Sequence, residues 1–178
     1  FIELSGKAYF WANDGTHGYE LWSSDGTEAG TQLIKDTQAG ANGIVPADAS
    51  SLPKIFKANN LLFFGARTSA GTYQLWRSDG TTAGTFLLVD NYQGFYTSVS
   101  FQELGGQVFF NAQNGLWKTD GTVANTVLVK NIKAGSLSKI NSLLFLGVTA
   151  QDGNSSTLWK SNGTEVGTVE VPDGTVVN

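Results

Sequence analysis

A short signature built around a Leu-Trp pair occurs four times in this chain, and it constrains the fold more than any other feature. Three residues after each Trp comes Asp, or Asn in the last copy, and Gly-Thr follows each time. A Thr nine positions after each Trp keeps the same register, which indicates repeats of one structural unit. The copies are ELWSSDGTEAGTQLIKD at 20–36, QLWRSDGTTAGTFLLVD at 74–90, GLWKTDGTVANTVLVKN at 115–131 and TLWKSNGTEVGTVEVPD at 157–173.

A second block precedes each signature and is typical of a short strand. Its copies are KAYFWA at 7–12, LLFFGA at 61–66, QVFFNA at 107–112 and LLFLGV at 143–148. A turn pair, such as Ser5-Gly6 or Asn59-Asn60, and a further short apolar stretch come before each block. Each repeat therefore predicts four short strands joined by turns, and no window has the apolar spacing of a helix. We expect a single repeat domain over 1–178, with units of approximately 1–48, 49–96, 97–133 and 134–178.

The second strand of each repeat is apolar on both faces, and this determines how the repeats pack. In the first repeat Phe10 shares one face with Ala8 and Ala12, while Tyr9 lies on the other. A strand with two apolar faces has to be covered on both sides. Stacking the repeats side by side achieves this, since each small sheet is then buried between its neighbours. Four-stranded units with one Trp each predict an all-β fold, a β-propeller of four blades.

The signature LWxSDGTxxGTxLvKD resembles the ELWxxDGT repeats of large secreted or surface proteins of bacteria, and the resemblance covers nearly the whole chain. It implies a propeller-like, adhesin-type module in a family that generally has no assigned reaction. The third copy departs from the pattern at Asn125 and Asn131, and the fourth at Asn162 and Pro172. These departures suggest a terminal or less regular blade.

Four whole repeats allow two arrangements. They can close as a four-bladed ring, which we favour, or they can form an arc of a larger propeller. The arc would be completed by further sequence or by a second copy. A closed ring would lack a hydrogen-bonded latch, because no strand is split between the two termini.

The charge and the missing residue types exclude several classes of function. The chain has 178 residues, a net charge of −4 and scattered Lys and Arg, which argues against nucleic-acid binding and against membrane insertion. It has no Cys, so disulfides, Cys-ligated zinc and thiol nucleophiles are excluded. Because His17 is the single histidine, a multi-histidine metal site is excluded as well.

The repeated Asp-Gly-Thr segment has two interpretations. Asp and Gly form turns, since Asp bonds nearby backbone and Gly adopts positive φ. Carboxylates at a fixed spacing could instead coordinate calcium, which prefers oxygen ligands. Asn162 fits a turn as well as Asp does, whereas the loss of charge would weaken a metal site. We therefore expect structural turns and no cofactor, with calcium as the alternative.

We expect the repeated Trp to lie between blades, with its ring nitrogen bonded to backbone.

The candidate ligand-binding residues are those that the repeat does not require. Trp11 corresponds to Gly65, Asn111 and Gly147, so it either fills a gap or lines a site. The loop after it differs between repeats, and variable loops on a constant scaffold commonly carry binding sites. Three aromatic residues at 91–100 predict loop packing, a lid or an exposed apolar surface. The predicted ligand site comprises Trp11, Asn13, Asp14, Tyr19, Tyr92, Phe95 and Tyr96.

From these features we expect a secreted or surface module that is not an enzyme and that works in recognition or adhesion. Its partner would be a glycan or a cell-surface protein, and self-association is also open. Carbohydrate is the first choice of ligand, because aromatic platforms with Asn and Asp suit it. One alternative is a structural spacer or assembly unit of a larger surface protein. A second is a glycan-active enzyme on a propeller scaffold, which requires two non-repeated carboxylates facing one cavity.

Overall fold

The chain forms four antiparallel sheets of four strands, one for each sequence repeat, which confirms the predicted all-β class. The computed structural model describes residues 1–38, 43, 52–67, 72–90, 99–112, 115–149 and 155–172, with the backbone alone at Arg67. Within this part of the chain, no helix is long and apolar enough to cross a membrane. In each sheet the strands pair in chain order. The strands are β1 Ile2–Leu4, β2 Lys7–Asn13, β3 Tyr19–Ser24, β4 Gln32–Lys35, β5 Ile55–Ala58, β6 Leu61–Arg67, β7 Tyr73–Ser78, β8 Phe86–Val89, β9 Phe101–Leu104, β10 Gln107–Ala112, β11 Gly115–Thr119, β12 Val127–Lys130, β13 Ala134–Ile140, β14 Leu143–Thr149, β15 Ser156–Ser161 and β16 Val169–Glu170.

The four sheets are grouped in two compact units. The first unit extends over Phe1–Ser98 and contains the sheets β1–β4 and β5–β8. The second extends over Val99–Asn178 and contains β9–β12 and β13–β16. The division between the units lies close to the predicted boundary between the second and third repeats.

Two-residue turns join the first two strands of the sheets. Ser5 and Gly6 have φ values of 52° and 78°, Asn59 and Asn60 of 51° and 60°, and Gly105 and Gly106 of 60° and 77°. Positive φ at both positions defines a type I′ turn, whose twist matches that of the paired strands. The predicted turn pairs are therefore confirmed at these positions.

The Asp-Gly-Thr segments form one hydrogen-bonded turn that recurs through the chain. Asp79 Oδ1 accepts hydrogen bonds from the backbone N–H of Thr81 at 2.9 Å and from its hydroxyl at 2.7 Å. Gly80 has a φ of 90°, which an L-side chain rarely adopts. In the fourth repeat Asn162 Oδ1 accepts the same two bonds from Thr164, at 3.1 and 2.7 Å. An amide replaces the carboxylate without loss of a bond, as expected of a structural turn.

Within each unit, one face of the first sheet packs against the opposite face of the second. The packing buries apolar residues from both sheets in one cluster, so the predicted side-by-side stacking is confirmed inside each unit. The two interfaces use equivalent positions: Tyr9, Leu21 and Ile34 cluster with Leu62, Phe64 and Trp76 in the first unit, and Phe109, Leu116 and Val129 cluster with Leu144, Leu146 and Trp159 in the second.

Equivalent polar contacts also join the two sheets of each unit. Glu3 forms an ion pair with Lys57 at 2.8 Å in the first unit. Glu103 forms one with Lys139 at 3.1 Å in the second. Exposed pairs of this kind add little stability, so the apolar clusters are the main interaction between the sheets.

The repeated Trp lies beside the central residue of the second strand, and its ring nitrogen has different partners in different repeats. Trp117 Nε1 donates to the Ala112 carbonyl at 3.1 Å, as predicted. Trp76 Nε1 instead donates to the Gln74 side chain at 3.1 Å. Trp159 Nε1 donates to the Thr157 hydroxyl at 3.0 Å. The predicted backbone bond is wrong for these two, because a side chain two residues earlier on a strand lies on the same face.

Candidate functional site

The hairpin between β2 and β3 carries four of the predicted ligand-binding residues. Asn13 ends β2, Tyr19 begins β3, and the two are directly paired. Trp11 lies two residues before Asn13 on the same strand, and Asp14 lies in the connecting loop. The structure therefore brings these four residues to one end of the first sheet.

Asp14 organises this loop. Its Oδ1 accepts backbone hydrogen bonds from Thr16 and His17, both at 2.9 Å. Its Oδ2 lies 2.7 Å from His17 Nδ1. The backbone and ring bonds from His17 and the backbone bond from Thr16 lower the pKa of Asp14 to about 2. Asp14 in turn raises the pKa of His17, through their side-chain hydrogen bond. The pair favours an anionic carboxylate beside a protonated imidazole.

Asn13 and Tyr19 have different surroundings. Asn13 Oδ1 accepts a hydrogen bond from the backbone N–H of Gly15 at 2.7 Å, so this side chain shapes the loop. The backbone of Tyr19 is approached closely by Gly43, where a Cβ atom would lie 2.6 Å from the Tyr19 carbonyl oxygen. Gly43 also has a φ of 52°. Gly43 therefore lies directly over the start of β3, at a position where glycine fits.

Trp11 packs between the first and second sheets. Its ring contacts Phe64 edge to face, with centroids 5.2 Å apart and an interplanar angle of 80°. Its Nε1 donates to the Pro53 carbonyl at 2.7 Å. The indole is partly buried and packs against the core cluster of the first unit. These contacts support the gap-filling interpretation of Trp11, and only its partly exposed edge faces solvent.

Glu20, the second residue of β3, is a buried carboxylic acid in the same hairpin. It has 0% relative exposure. Its Oε1 accepts the backbone N–H of Thr37 at 3.1 Å, and the Thr37 hydroxyl lies 3.0 and 2.9 Å from its two oxygens. Burial, with the charge of Asp36, raises the pKa of Glu20 to about 7, although the hydrogen bonds from Thr37 lower it. Glu20 thus anchors the chain that follows β4.

The counterpart of Glu20 in the second repeat is Gln74, which uses its amide differently. Gln74 Oε1 accepts from Trp76 Nε1, and its Nε2 donates to Asp90 at 2.9 Å. In the first repeat Trp22 Nε1 is buried without a hydrogen-bond partner among the described residues. The carboxylate of Glu20 is directed to Thr37, so the first repeat lacks the indole bond that the second repeat makes.

Asp14 and Glu20 are two non-repeated carboxylates, as the glycan-active alternative requires. Their pKa values are shifted in opposite directions, which is the pattern of a general acid with an ionised partner. Asp14 is partly exposed, whereas Glu20 is fully buried. The two carboxylates therefore have different surroundings: Asp14 is bonded within its loop, and Glu20 is bonded to Thr37. The described residues also contain no group of three or more His, Cys, Asp or Glu that could hold a metal ion.

Tyr92, Phe95 and Tyr96 lie outside the described residues, so their part in the predicted site stays a prediction. The sequence analysis did not single out Glu20, and it assigned no part in the site to His17. One signal was present for Glu20: period-two alternation places it on the face of Trp22, which is a buried face in a stacked repeat. For His17 the signal was Asp14 three residues earlier in a short polar loop.

No protein-family model and no curated protein matches the sequence, so the resemblance to ELWxxDGT repeats stays a prediction. Among solved structures, a puromycin hydrolase mutant complexed with PGG has a TM-score of 0.54 at 15% identity, over 96% of this chain and 28% of that chain. A GH43_1 enzyme from Xanthomonas citri complexed with xylose has a TM-score of 0.38 at 9% identity, over 96% of this chain and 71% of the enzyme. A GH43 β-xylosidase/α-arabinofuranosidase from a compost microbial metagenome, in complex with xylotriose, has a TM-score of 0.37 at 10% identity, over 94% and 74% of the two chains.

The four four-stranded antiparallel sheets form a β-propeller-like repeat architecture, and the likeness to the puromycin hydrolase corrects one expectation. The prediction that the chain is not an enzyme is wrong as a deduction from its repeats, because a hydrolase shares the fold. A scaffold of stacked sheets accommodates catalytic and non-catalytic sites alike, so repetition alone does not exclude a reaction. This chain spans 28% of the length of that hydrolase.

Proposed function

We propose that this chain is the sugar-binding, propeller-like portion of a larger extracellular glycan-active protein. The Asp14–His17 pair carries the proposal. It is held at 2.7 Å, its side chains are 29% and 35% exposed, and the loop's own backbone fixes the carboxylate. The hydrolase that shares this fold is longer than this chain, which supports the placement of the chain within a larger protein.

The chemistry of the pair suits neutral sugars. A carboxylate has about four acceptor positions, and three of those on Asp14 are used within the loop. A sugar hydroxyl can donate to the remaining one, while the imidazole of His17 offers a second polar group beside it. Tyr19 and the exposed edge of Trp11 lie at the same end of the sheet and supply apolar surface.

The test is calorimetric titration with a panel of neutral polysaccharides and their oligosaccharides. We expect saturable binding by the unaltered chain and at least a tenfold loss for Asp14→Ala. Asp25→Asn is the matched control, since the fourth repeat already carries Asn in that turn. Release of reducing sugar in the same samples separates binding from turnover, and a parallel run with chelator tests calcium. Equal binding by Asp14→Ala and the unaltered chain would overturn the proposal.

We also propose that the four sheets are blades of one propeller. A closed four-bladed ring, which the sequence favours, would cover both faces of the fourth sheet. Leu158 in that sheet is 50% exposed, whereas its counterparts Leu21, Leu75 and Leu116 are fully buried. A closed ring and an arc, which further sequence or a second copy would complete, therefore differ in whether Leu158 is covered.

A further inference from the structure

The fourth sheet exposes a face that the other three repeats bury. We call this the outer face of the fourth sheet, and it comprises Ile140, Phe145, Leu158 and Val169. Ile140 and Leu158 are 56% and 50% exposed, whereas Val169, at 40%, is as exposed as its counterpart Val127 in the third repeat. Phe145 is partly exposed, although Tyr9, Phe63 and Phe109 at the same repeat position are at most 3% exposed. Ser138 and Lys160 share this face, each directly paired with Phe145, so the exposed apolar residues form a patch with polar neighbours. Exposed apolar patches bordered by polar residues mark interaction sites.

The chain shows twice what covers this face. In the first unit the equivalent face of the first sheet packs on the second sheet, and the Tyr9 ring lies against Gly80. In the second unit the equivalent face of the third sheet packs on the fourth, and the Phe109 ring lies 2.8 Å from the position of a Cβ on Gly163. In both cases an aromatic residue of the second strand sits over the glycine of an Asp/Asn-Gly-Thr turn.

The matching surface of the first sheet carries Gly26 and Phe10, and the Phe10 ring lies 5.2 Å from that of the exposed Phe1. A Cβ on Gly26 would have no described atom within 4 Å, although Gly80 and Gly163 each lie against an aromatic ring. Phe10 on the same sheet is partly exposed, whereas its counterparts Phe64 and Phe110 are fully buried. Among the described residues, no turn glycine therefore lies against the Phe145 ring, and no aromatic ring lies against Gly26.

The charges at the edge of this surface are also complementary. Glu3 and Lys139 occupy the same position of the first strand in the first and fourth repeats. Both groups already take part in pairs within their units, Glu3 with Lys57 and Lys139 with Glu103, so a Glu3–Lys139 contact between copies would be shared with those pairs. One contact of the intrachain interfaces would be missing: Lys35 Nζ donates to the Thr85 carbonyl at 2.8 Å, and the fourth repeat has Pro172 at that position. The new contact is therefore weaker than those within the units.

We propose that the outer face of the fourth sheet docks on the Phe10–Gly26 face of the first sheet of a second copy of this chain. The copies associate head to tail, with Phe145 over Gly26 and Leu158 buried. A head-to-tail contact closes into a ring or extends into an open chain, depending on the rotation between copies. This inference goes beyond sugar binding and uses different residues, so either can fail without the other.

Mass measurement by light scattering and sedimentation, over a hundredfold range of protein concentration, tests the proposal. We expect the mass to rise with concentration from 18.9 kDa to at least about twice that value. Leu158→Asp should keep the monomer mass throughout. Val166→Asp is the control, because Val166 is 88% exposed but lies in the turn after β15, off the outer face.

A second measurement keeps the test decisive. Copies with Leu158→Asp retain the Phe10–Gly26 face, so an excess of this variant should cap the unaltered chain and shorten its assemblies to a dimer. Unchanged thermal unfolding of dilute Leu158→Asp establishes that it folds. A monomer mass for the unaltered chain at every concentration would overturn the proposal, as would assembly that persists in Leu158→Asp.

Discussion

The Asp-Gly-Thr turns and the hairpin ends after the second strands lie on the same four sheets, yet they differ in how the repeats use them. The turn repeats the same bonds whether Asp79 or Asn162 is present. The hairpin end of the first repeat has Glu20 where the second has Gln74, and the polar partners differ accordingly. Packing between like sheets uses the turn in the same way in both units, through Gly80 and Gly163, whereas the hairpin contributes Trp11 in the first repeat alone. A function specific to this chain is therefore expected at the hairpin, where the repeats diverge.

The largest expected effect concerns two glycines of the shared turn. Gly26 and Gly80 have φ values of 94° and 90°, so Ala at either position should cost about 1 kcal/mol in backbone strain. A Cβ at position 80 would also overlap the Tyr9 ring, which adds about 1–3 kcal/mol. Urea unfolding of dilute Gly80→Ala and Gly26→Ala should therefore show a clearly greater loss of stability for Gly80→Ala. Equal losses would mean that Tyr9 moves freely and that the aromatic-on-glycine contact does not stabilise the interface.

The next largest effect on stability is expected for Glu20→Gln, in the hairpin between β2 and β3. Glu20 has a pKa of about 7 in the folded chain against an ordinary value of 4.5. Between these pH values the unfolded chain binds fewer protons, so the contribution of Glu20 to stability falls as pH rises and levels off above about 7. Glu20→Gln stays neutral, and we expect it to be more stable than the unaltered chain by about 1–3 kcal/mol at pH 8, with little difference at pH 4.

Thermal unfolding of both chains from pH 4 to pH 8 measures this difference. Asp14 is present in both chains, so its titration cancels in the comparison, whereas the charge of Glu20 contributes to the raised pKa of His17 and this part is included in the difference. Gln74→Glu is the reverse control: it would place a carboxylate beside Asp90 and should destabilise the second repeat at neutral pH. A constant difference between Glu20→Gln and the unaltered chain across this range would show that Glu20 does not titrate near pH 7.

The repeated part of the fold could be predicted from the sequence because its causes are local. Asn59-Asn60 and Gly105-Gly106 adopt positive φ as their residue types favour, and Phe64 alternates with Phe63 as a strand requires. The stacking of sheets followed from the same alternation, since both faces of the strand are apolar. These features depend on residues within about ten positions of one another.

The site was less predictable because its causes are distant in sequence. Glu20 is buried through Thr37, and Trp11 is held by the Pro53 carbonyl 42 positions away. Neither contact follows from periodicity or from a motif. The exposure of Leu158 could not be predicted from the sequence either, because the residues around it match the repeats in which this position is buried. Non-local burial therefore decides which polar side chains of the hairpin stay accessible.

The smallest effect on stability is expected for Asp79, in the Asp-Gly-Thr turn of the second repeat. Asp79→Asn should change stability by less than about 0.5 kcal/mol, because Asn162 makes the same two bonds to its Thr in the fourth repeat. Asp79→Ala removes both bonds to Thr81 and should cost on the order of 0.5–1 kcal/mol at this exposed turn. Urea unfolding of the two variants measures the difference. If Asn were as damaging as Ala, the charge of Asp79 would matter in itself, and calcium binding by these turns would be the first explanation to test. If only Ala is damaging, the turn needs an acceptor oxygen and no charge, which separates it from the hairpin, where the charge of Asp14 holds His17.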